Sequence, residues 1–271
     1  MKPNLECWTT LAALSTITKR LHLGTLVTAV GFRYPSLLAK ITSTLDVISQ
    51  GRLEFGIGAG WYEPEYRAYG YPFPNTSIRI EQLSEAIQII KRMWTEEKAS
   101  FQGKHFHLND AICNPKPLQK PHPPIWVGGT GRQLMRVIAG NADGWNSVGL
   151  TLDEYKGKLQ NLAEECQLAG RMPGSIRKSI YTGIIIGRDE TKLQDRIRGF
   201  TNKYKKKDET TEQYMDRIRR DDRRIVGTPS EIIEKTNTYG KLGVEEVICF
   251  FPDLPSLDSM KLFAEEILPR N

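Results

Sequence analysis

The sequence predicts an α/β fold built on a parallel sheet with helices on both faces. Short, continuously apolar segments at 21–27, 53–58, 125–128, 144–148, 180–187 and 244–251 alternate with segments of helical periodicity. Glycine or polar residues cluster just beyond strand ends, where closed barrels keep their sites. The dinucleotide fingerprint is missing: GIGAGW at 56–61 lacks the third glycine of G-x-G-x-x-G and does not run straight into a helix. Alternation alone fits either a doubly wound sheet or a (β/α)8-type barrel; the other two observations favour the barrel.

In chain order, residues 5–18 carry a helical stripe of Leu5, Trp8, Leu11, Ala12, Leu14 and Ile17, and a strand follows at 21–27. Pro35 opens a helix that runs to about Ser49 and is closed by Gly51. After the strand at 53–58, Ile80, Leu83, Ile87, Ile90 and Trp94 recur at spacings of three and four and predict a helix over 78–94. Residues 96–124 hold Pro115, Pro117, Pro121, Pro123 and Pro124 and read as an irregular surface excursion. A strand at 125–128, a helix at 133–139, a strand at 144–148, a helix at 152–169 and a strand at 180–187 come next. Residues 190–226 read as a charged helical insertion, Thr228 before Pro229 starts another helix, and the chain ends with a strand at 244–251 and a helix at 257–268. The whole of 1–271 is expected to form a single domain.

Composition narrows the function. The 271 residues are 39% hydrophobic, which suits a packed globular chain, and no apolar run approaches the ~20 residues of a membrane span. The first twenty residues carry Glu6 and polar threonines and do not resemble a secretory signal, so a cytoplasmic protein is expected. Cys7, Cys113, Cys166 and Cys249 stand alone, giving no C-x-x-C pair for zinc or redox work. Half of the +6 net charge comes from 203–224, where nine basic residues are interleaved with six acidic ones. That mixture fits a solvated, ion-paired helix better than a nucleic-acid surface, and a small-molecule partner is expected.

Three strand-end loops could carry chemistry. At 24–35 a small, mostly apolar surface could pack against one face of a planar ring, or be an ordinary connection. At 58–66 the glycines Gly58 and Gly60 around Ala59 let the backbone approach a ligand, with Trp61 and Tyr62 as stacking surface; a simple bend with core aromatics is the other reading. At 127–132, Gly128, Gly129, Thr130, Gly131 and Arg132 pass from strand into helix, combining backbone donors, a hydroxyl and a guanidinium in a phosphate cradle. A plain turn would need one glycine, not three. Trp145 and Asn146 lie on the next strand. His22, His105, His107 and His122 read as loop residues with no metal set around them, and there is neither a G-x-S-x-G elbow nor a P-loop.

The stretches 4–14 (NLECWTTLAAL), 45–61 (LDVISQGRLEFGIGAGW), 123–129 (PPIWVGG) and 142–146 (ADGWN) resemble the bacterial luciferase-like monooxygenase family, in particular its coenzyme F420-dependent oxidoreductase branch. The L-D-x-x-S-x-G-R motif (Leu45, Asp46, Ser49, Gly51, Arg52) is the most specific part. The resemblance implies a TIM (β/α)8-type barrel binding F420, or alternatively FMN, at its C-terminal mouth. It implies a non-prolyl cis peptide near Leu26 and Val27 behind the ring, with Thr28 beside them, and a lining from Gly58, Ala59, Gly60 and Trp61. Phosphate falls to Gly128, Gly129, Thr130, Gly131 and Arg132, and Trp145 and Asn146 face the ring pocket. Family members normally have a strand, a helix and a second strand before the helix that here starts near Leu5, so this barrel is expected to lack them, and with them the family's acid and base residues. A glutamate of the F420 branch falls at Trp61. The expected activity is hydride transfer to or from a small organic substrate by an oxidoreductase or FMN-dependent monooxygenase. The alternatives are a non-catalytic cofactor binder or an inactive truncated relative; a homodimer pairing open sheet edges is a further expectation.

Overall fold

Helix α1 (Cys7–Ile17) begins where the Glu6 carboxylate accepts the backbone N–H groups of Trp8 and Thr9, at 3.1 and 2.7 Å. The computed structural model describes residues 4–268 and places them in two compact units: residues 4–145 with Asn161–Ile176, and Asn146–Gln160 with residues 177–268.

In the first unit, the strand expected over 21–27 is split into β1 (Leu23–Gly24) and β2 (Thr28–Ala29), with a cis peptide bond between Leu26 and Val27. A 3-10 turn at Val30–Phe32 leads to α2 (Pro35–Ile48), which opens on proline as expected. The central strand β3 (Leu53–Gly58) pairs in parallel with β1, β2 and, after α3 (Glu63–Ala68) and α4 (Thr76–Thr95), with a later strand at Ile125–Gly128. The period of two along β3 sorts its side chains. Leu53, Phe55 and Ile57 are fully buried on one face, with Phe55 against Trp8 and Trp94 of the helices. Glu54, Gly56 and Gly58 line the other.

The excursion at 96–124 is more regular than proline content suggests. It holds an antiparallel hairpin, β4 (Ala99–Gln102) and β5 (His107–Ala111), before the proline segment and β6 (Ile125–Gly128). The hairpin turn is gripped by α4: Glu85 accepts the backbone N–H groups of Lys104, His105 and Phe106 at 2.8–3.0 Å, and Glu81 takes the side chains of Lys104 and His105. Sequence patterning missed it because the anchor lies twenty residues away on another element.

The L-D-x-x-S-x-G-R motif is a structural clamp. Asp46 is fully buried; it accepts the backbone N–H groups of Leu118 and Gln119 (2.7 and 3.1 Å) and the Gln119 amide (2.7 Å), tying the proline segment to α2. Gln50 and Gly51 turn the chain with φ of 60° and 78°. Arg52 then reaches the carbonyls of Ser15, Thr18 and Leu21 at 2.6–3.1 Å, satisfying the open C-terminal end of α1.

Helix α5 (Arg132–Asn141) follows β6. The chain crosses between units within β7 (Gly144–Val148) and again within α6 (Leu152–Leu168). In the second unit β8 (Arg177–Ile186) is covered on both faces. Ile184 and Ile186 pack with Ile225, Ile232, Phe251 and Leu262, whereas Ile185 packs with Leu193, Ile197, Tyr214, Ile218 and Val226. These come from α7 (Glu190–Gly199), α9 (Thr211–Arg220), β9 (Ile225–Gly227), α10 (Pro229–Lys241), α11 (Asp258–Glu266) and, for Phe251, the residue just after β10 (Glu246–Phe250), with α8 (Thr201–Tyr204) between α7 and α9 and with β9 and β10 both parallel to β8. The segment read as a charged insertion, 190–226, ends inside β9 and so contributes a strand. Its charges are paired, Arg217 with Glu209 at 2.7 Å and Arg220 with Asp216 at 3.2 Å. Glu209 is held near 2 by the Arg217 hydrogen bond.

Candidate functional site

The site is built around Val27. Its side chain lies over Gly58, Gly56 and Gly128: a Cβ on Gly58 would come within 2.7 Å of a Val27 methyl, and one on Gly56 or Gly128 within 3.1 or 3.2 Å. Hence three residues on two neighbouring strands lack side chains where Val27 sits, and Leu26, Val27, Gly58 and Gly128 are brought together. Thr28 is buried beside them and accepts from Trp8 Nε1–H at 3.3 Å. A groove of about 420 Å³ with no charged lining runs between α1, at Cys7, Thr10 and Leu11, and the segment 24–28. That volume lies in the range of small-molecule pockets.

Beyond Gly58 the chain turns through half-buried Ala59 and Gly60, whose φ of 79° is left-handed, and Tyr66 of α3 fills the space where a Gly60 side chain would be. Trp61 is 83% exposed, with Tyr62 half exposed at a ring-centroid distance of 5.3 Å. Neither is core, which removes one of the two readings of this loop.

Beyond Gly128, the turn Gly129-Thr130-Gly131 leads into α5. Gly129 has a φ of 131° and abuts Leu134, and its carbonyl accepts the Trp145 indole N–H at 2.7 Å. Trp145 is fully buried, so it supports this turn from below; facing a ring pocket, as expected, would need an exposed face. Gly131 is the N-cap of α5. No side chain caps this helix, and there is open space where a Gly131 side chain would point. The Leu134 and Met135 N–H groups donate to the Gly131 carbonyl at 3.0 Å, whereas the N–H groups before them have no preceding helical carbonyl to reach, as at any helix start. Arg132 is turned back along the helix toward Glu165, 3.5 Å from Nε, and Glu164, 3.8 Å from Nη2. Glu165 is 2% exposed and is shared with Arg136. The main-chain amides are open donors of the turn, and the guanidinium, 70% exposed, lies beside them in long contacts with the two glutamates. Asn146 belongs to the second unit, where its amide donates to Ser179 Oγ at 2.9 Å.

Sequence reasoning missed two polar groups. Glu6 pairs with the Arg33 guanidinium beside Thr28. Burial alone would raise the Glu6 carboxyl, but the N–H of Thr9, its hydroxyl, the Trp8 N–H and Arg33 outweigh it and hold the group at about 2. Because this is below the ordinary 4.5, the contribution is complete above that pH and lost as pH falls toward 2. Glu6→Gln is expected to cost below about 1 kcal/mol at pH 7, since the pair is half exposed, with the difference between the two acid-unfolding curves closing by about pH 2–3. The second group is His22, expected to be a plain loop residue: its Nδ1 is 3.2 Å from Glu54, which also accepts the Trp126 indole N–H at 2.7 Å. Glu54 precedes Gly58 by four strand residues, about 13 Å, so this cluster lies at the opposite strand end from the glycine loop.

A sequence profile of luciferase-like monooxygenases matches residues 2–246. The chain belongs to the luciferase-like monooxygenase family. This luciferase-like chain is 28% identical over 283 aligned positions to an F420-dependent glucose-6-phosphate dehydrogenase of Microbacterium testaceum, covering 99% of this chain and 83% of that protein. It is 24% identical over 262 positions to an FMNH2-dependent dimethylsulfone monooxygenase of Pseudomonas putida, covering 87% and 70%. In structure it is similar to the coenzyme F420-dependent tetrahydromethanopterin reductase of Methanopyrus kandleri, with a TM-score of 0.80 at 20% identity over 97% of this chain and 87% of that chain. The fold is the TIM-barrel-type α/β fold of this family, whose members include F420- and FMN-dependent oxidoreductases and monooxygenases. Among the described residues, no helix is long and apolar enough to cross a membrane.

Proposed function

We propose that this luciferase-like protein is an oxidoreductase that binds F420, with FMN as the alternative, on its first unit. The observation that carries the reading is the contact of Val27 with Gly58 and Gly128, three residues before an uncapped helix start. An apolar seat for a flat ring and a main-chain anchor for an anionic tail are thus separated by at most about 10 Å of chain. When bound, such a cofactor supplies hydride transfer to or from a small organic substrate. Leu26 and Val27 support the ring, and Gly58, Ala59 and Gly60 carry the strand end past it without side chains larger than a methyl. The amides at Gly131 and Arg132 hold phosphate, with Trp145 fixing the turn through Gly129. Trp61 offers an exposed ring at the loop edge.

The seat itself carries no acid or base: Leu26, Val27, Gly58 and Gly128 have none to give. That observation favours the second reading, a cofactor-binding protein without turnover. Fluorescence titration of the purified chain with F420 and with FMN, followed by turnover assays with glucose 6-phosphate, secondary alcohols and dimethylsulfone, separates the two. Binding with turnover supports the enzyme, binding without turnover supports the carrier, and binding of neither cofactor defeats both.

A further inference from the structure

The groove of about 420 Å³ between α1 and the segment 24–28 has no occupant in the cofactor reading. Its walls carry no charged side chain, and their hydroxyls are already engaged. Thr10 Oγ1 donates to the Glu6 carbonyl at 2.8 Å and Thr25 Oγ1 to the Gly56 carbonyl at 2.6 Å. Thr28 Oγ1 accepts from Trp8 and Arg33 at 3.3 and 3.5 Å. Burial pushes the Cys7 thiol up, so it too stays neutral. Glu6, the residue before it, is closed onto Arg33 and the first N–H groups of α1. A charged molecule entering this space gives up its hydration and finds no counter-charge, whereas an alkyl group gains from leaving water. The strands on the other wall, β1 and β2, are two residues each, so an added strand of protein would find no continuous ladder to extend.

We propose that this groove binds the alkyl part of a small uncharged substrate, held against Leu26 and Val27. Those two residues line the groove and also support the ring seat, so the bound alkyl group lies next to the cofactor. As a substrate site it rests on the cofactor reading above, and it names the substrate class for that reading. Medium-chain ketones and alcohols fall within the class; sugar phosphates fall outside it.

The test is calorimetric titration of the chain, without and then with bound F420 or FMN, using methyl ketones of increasing chain length and glucose 6-phosphate. Affinity for the ketones is expected to rise about three- to fourfold per methylene until the groove is full, and glucose 6-phosphate is expected to give no heat. Leu5 lines the groove and is 82% exposed, so Leu5→Gln leaves the fold alone and is expected to weaken the longest ketones about threefold. Leu11→Glu, which puts a charge on the α1 wall, is expected to weaken them at least tenfold, with Leu11→Met close to wild type. Affinity that does not change with chain length overturns the proposal, as does glucose 6-phosphate binding as tightly as the ketones. A dimer in sedimentation that no longer takes up the ketones also overturns it, because a second copy then fills the groove. Chain-length-dependent binding by protein that takes neither cofactor supports the groove and defeats only the cofactor reading, so the two failures are distinguishable.

Discussion

Asp46→Ala lowers the unfolding temperature by about 10 °C. The carboxylate is fully buried and accepts three hydrogen bonds, two of them from main-chain N–H groups of Leu118 and Gln119. Truncation leaves those donors without an acceptor in a space too small for bulk water. Breaking a buried charged network in this way costs about 3–5 kcal/mol. Asp46→Asn is expected to fall between wild type and alanine. Its one oxygen can still serve the two main-chain donors, but its NH2 then faces the Gln119 NH2, which also donates to the Leu53 carbonyl at 2.8 Å and cannot turn without losing it. Thermal unfolding of the three proteins checks the order; an alanine variant as stable as wild type would show that the clamp contributes nothing.

Gly58→Ala produces the largest binding loss. The new methyl would meet a Val27 methyl at 2.7 Å, closer than carbon atoms pack, so the Leu26–Val27 segment must move outward. Displacing the ring's support should weaken binding of F420 or FMN at least tenfold, on the order of the 1–3 kcal/mol that overpacking costs. The double variant Gly58→Ala with Val27→Ala removes the methyls that clash. The two changes should therefore be non-additive, with the double variant binding more tightly than Gly58→Ala alone. Strict additivity would mean that Val27 and Gly58 do not meet in the bound state.

These effects also show what the sequence could and could not disclose. Alternation of apolar runs with helical stripes was enough to place β3, β6, α4 and α5, because their burial is periodic and local. The glycine turn at 128–131 was legible as a strand-to-helix turn with exposed main chain because three glycines before a helix need a reason beyond turning. Arg132 could not be placed from sequence: its ion partner, Glu165, lies thirty-three residues later on α6. Trp145 looked like a ring-facing aromatic, yet period-two patterning on a short strand buried on both sides gives no way to tell the two faces apart. The L-D-x-x-S-x-G-R motif marked the family, whereas its physical work, binding the proline segment through Asp46 and closing α1 through Arg52, depends on residues far off in the chain. Glu6 lies in the stretch 4–14 that resembles the family, but only the contacts made by the folded chain show its pairing with Arg33.

The central claim is that an anionic tail is held by the open amides at the start of α5. Gly131→Asp tests it, because there is room for the side chain and an aspartate N-cap leaves the helix as stable or slightly more so. The measurement is the affinity of wild type and Gly131→Asp for FMN and for riboflavin, which share a ring and differ by the phosphate, with F420 and its tail-less ring compared in the same way. The account predicts that wild type prefers the phosphorylated member, and that the variant, its amides occupied by a fixed negative charge, loses that preference while keeping its affinity for the bare ring. A variant that still prefers the phosphorylated cofactor as strongly as wild type would contradict it.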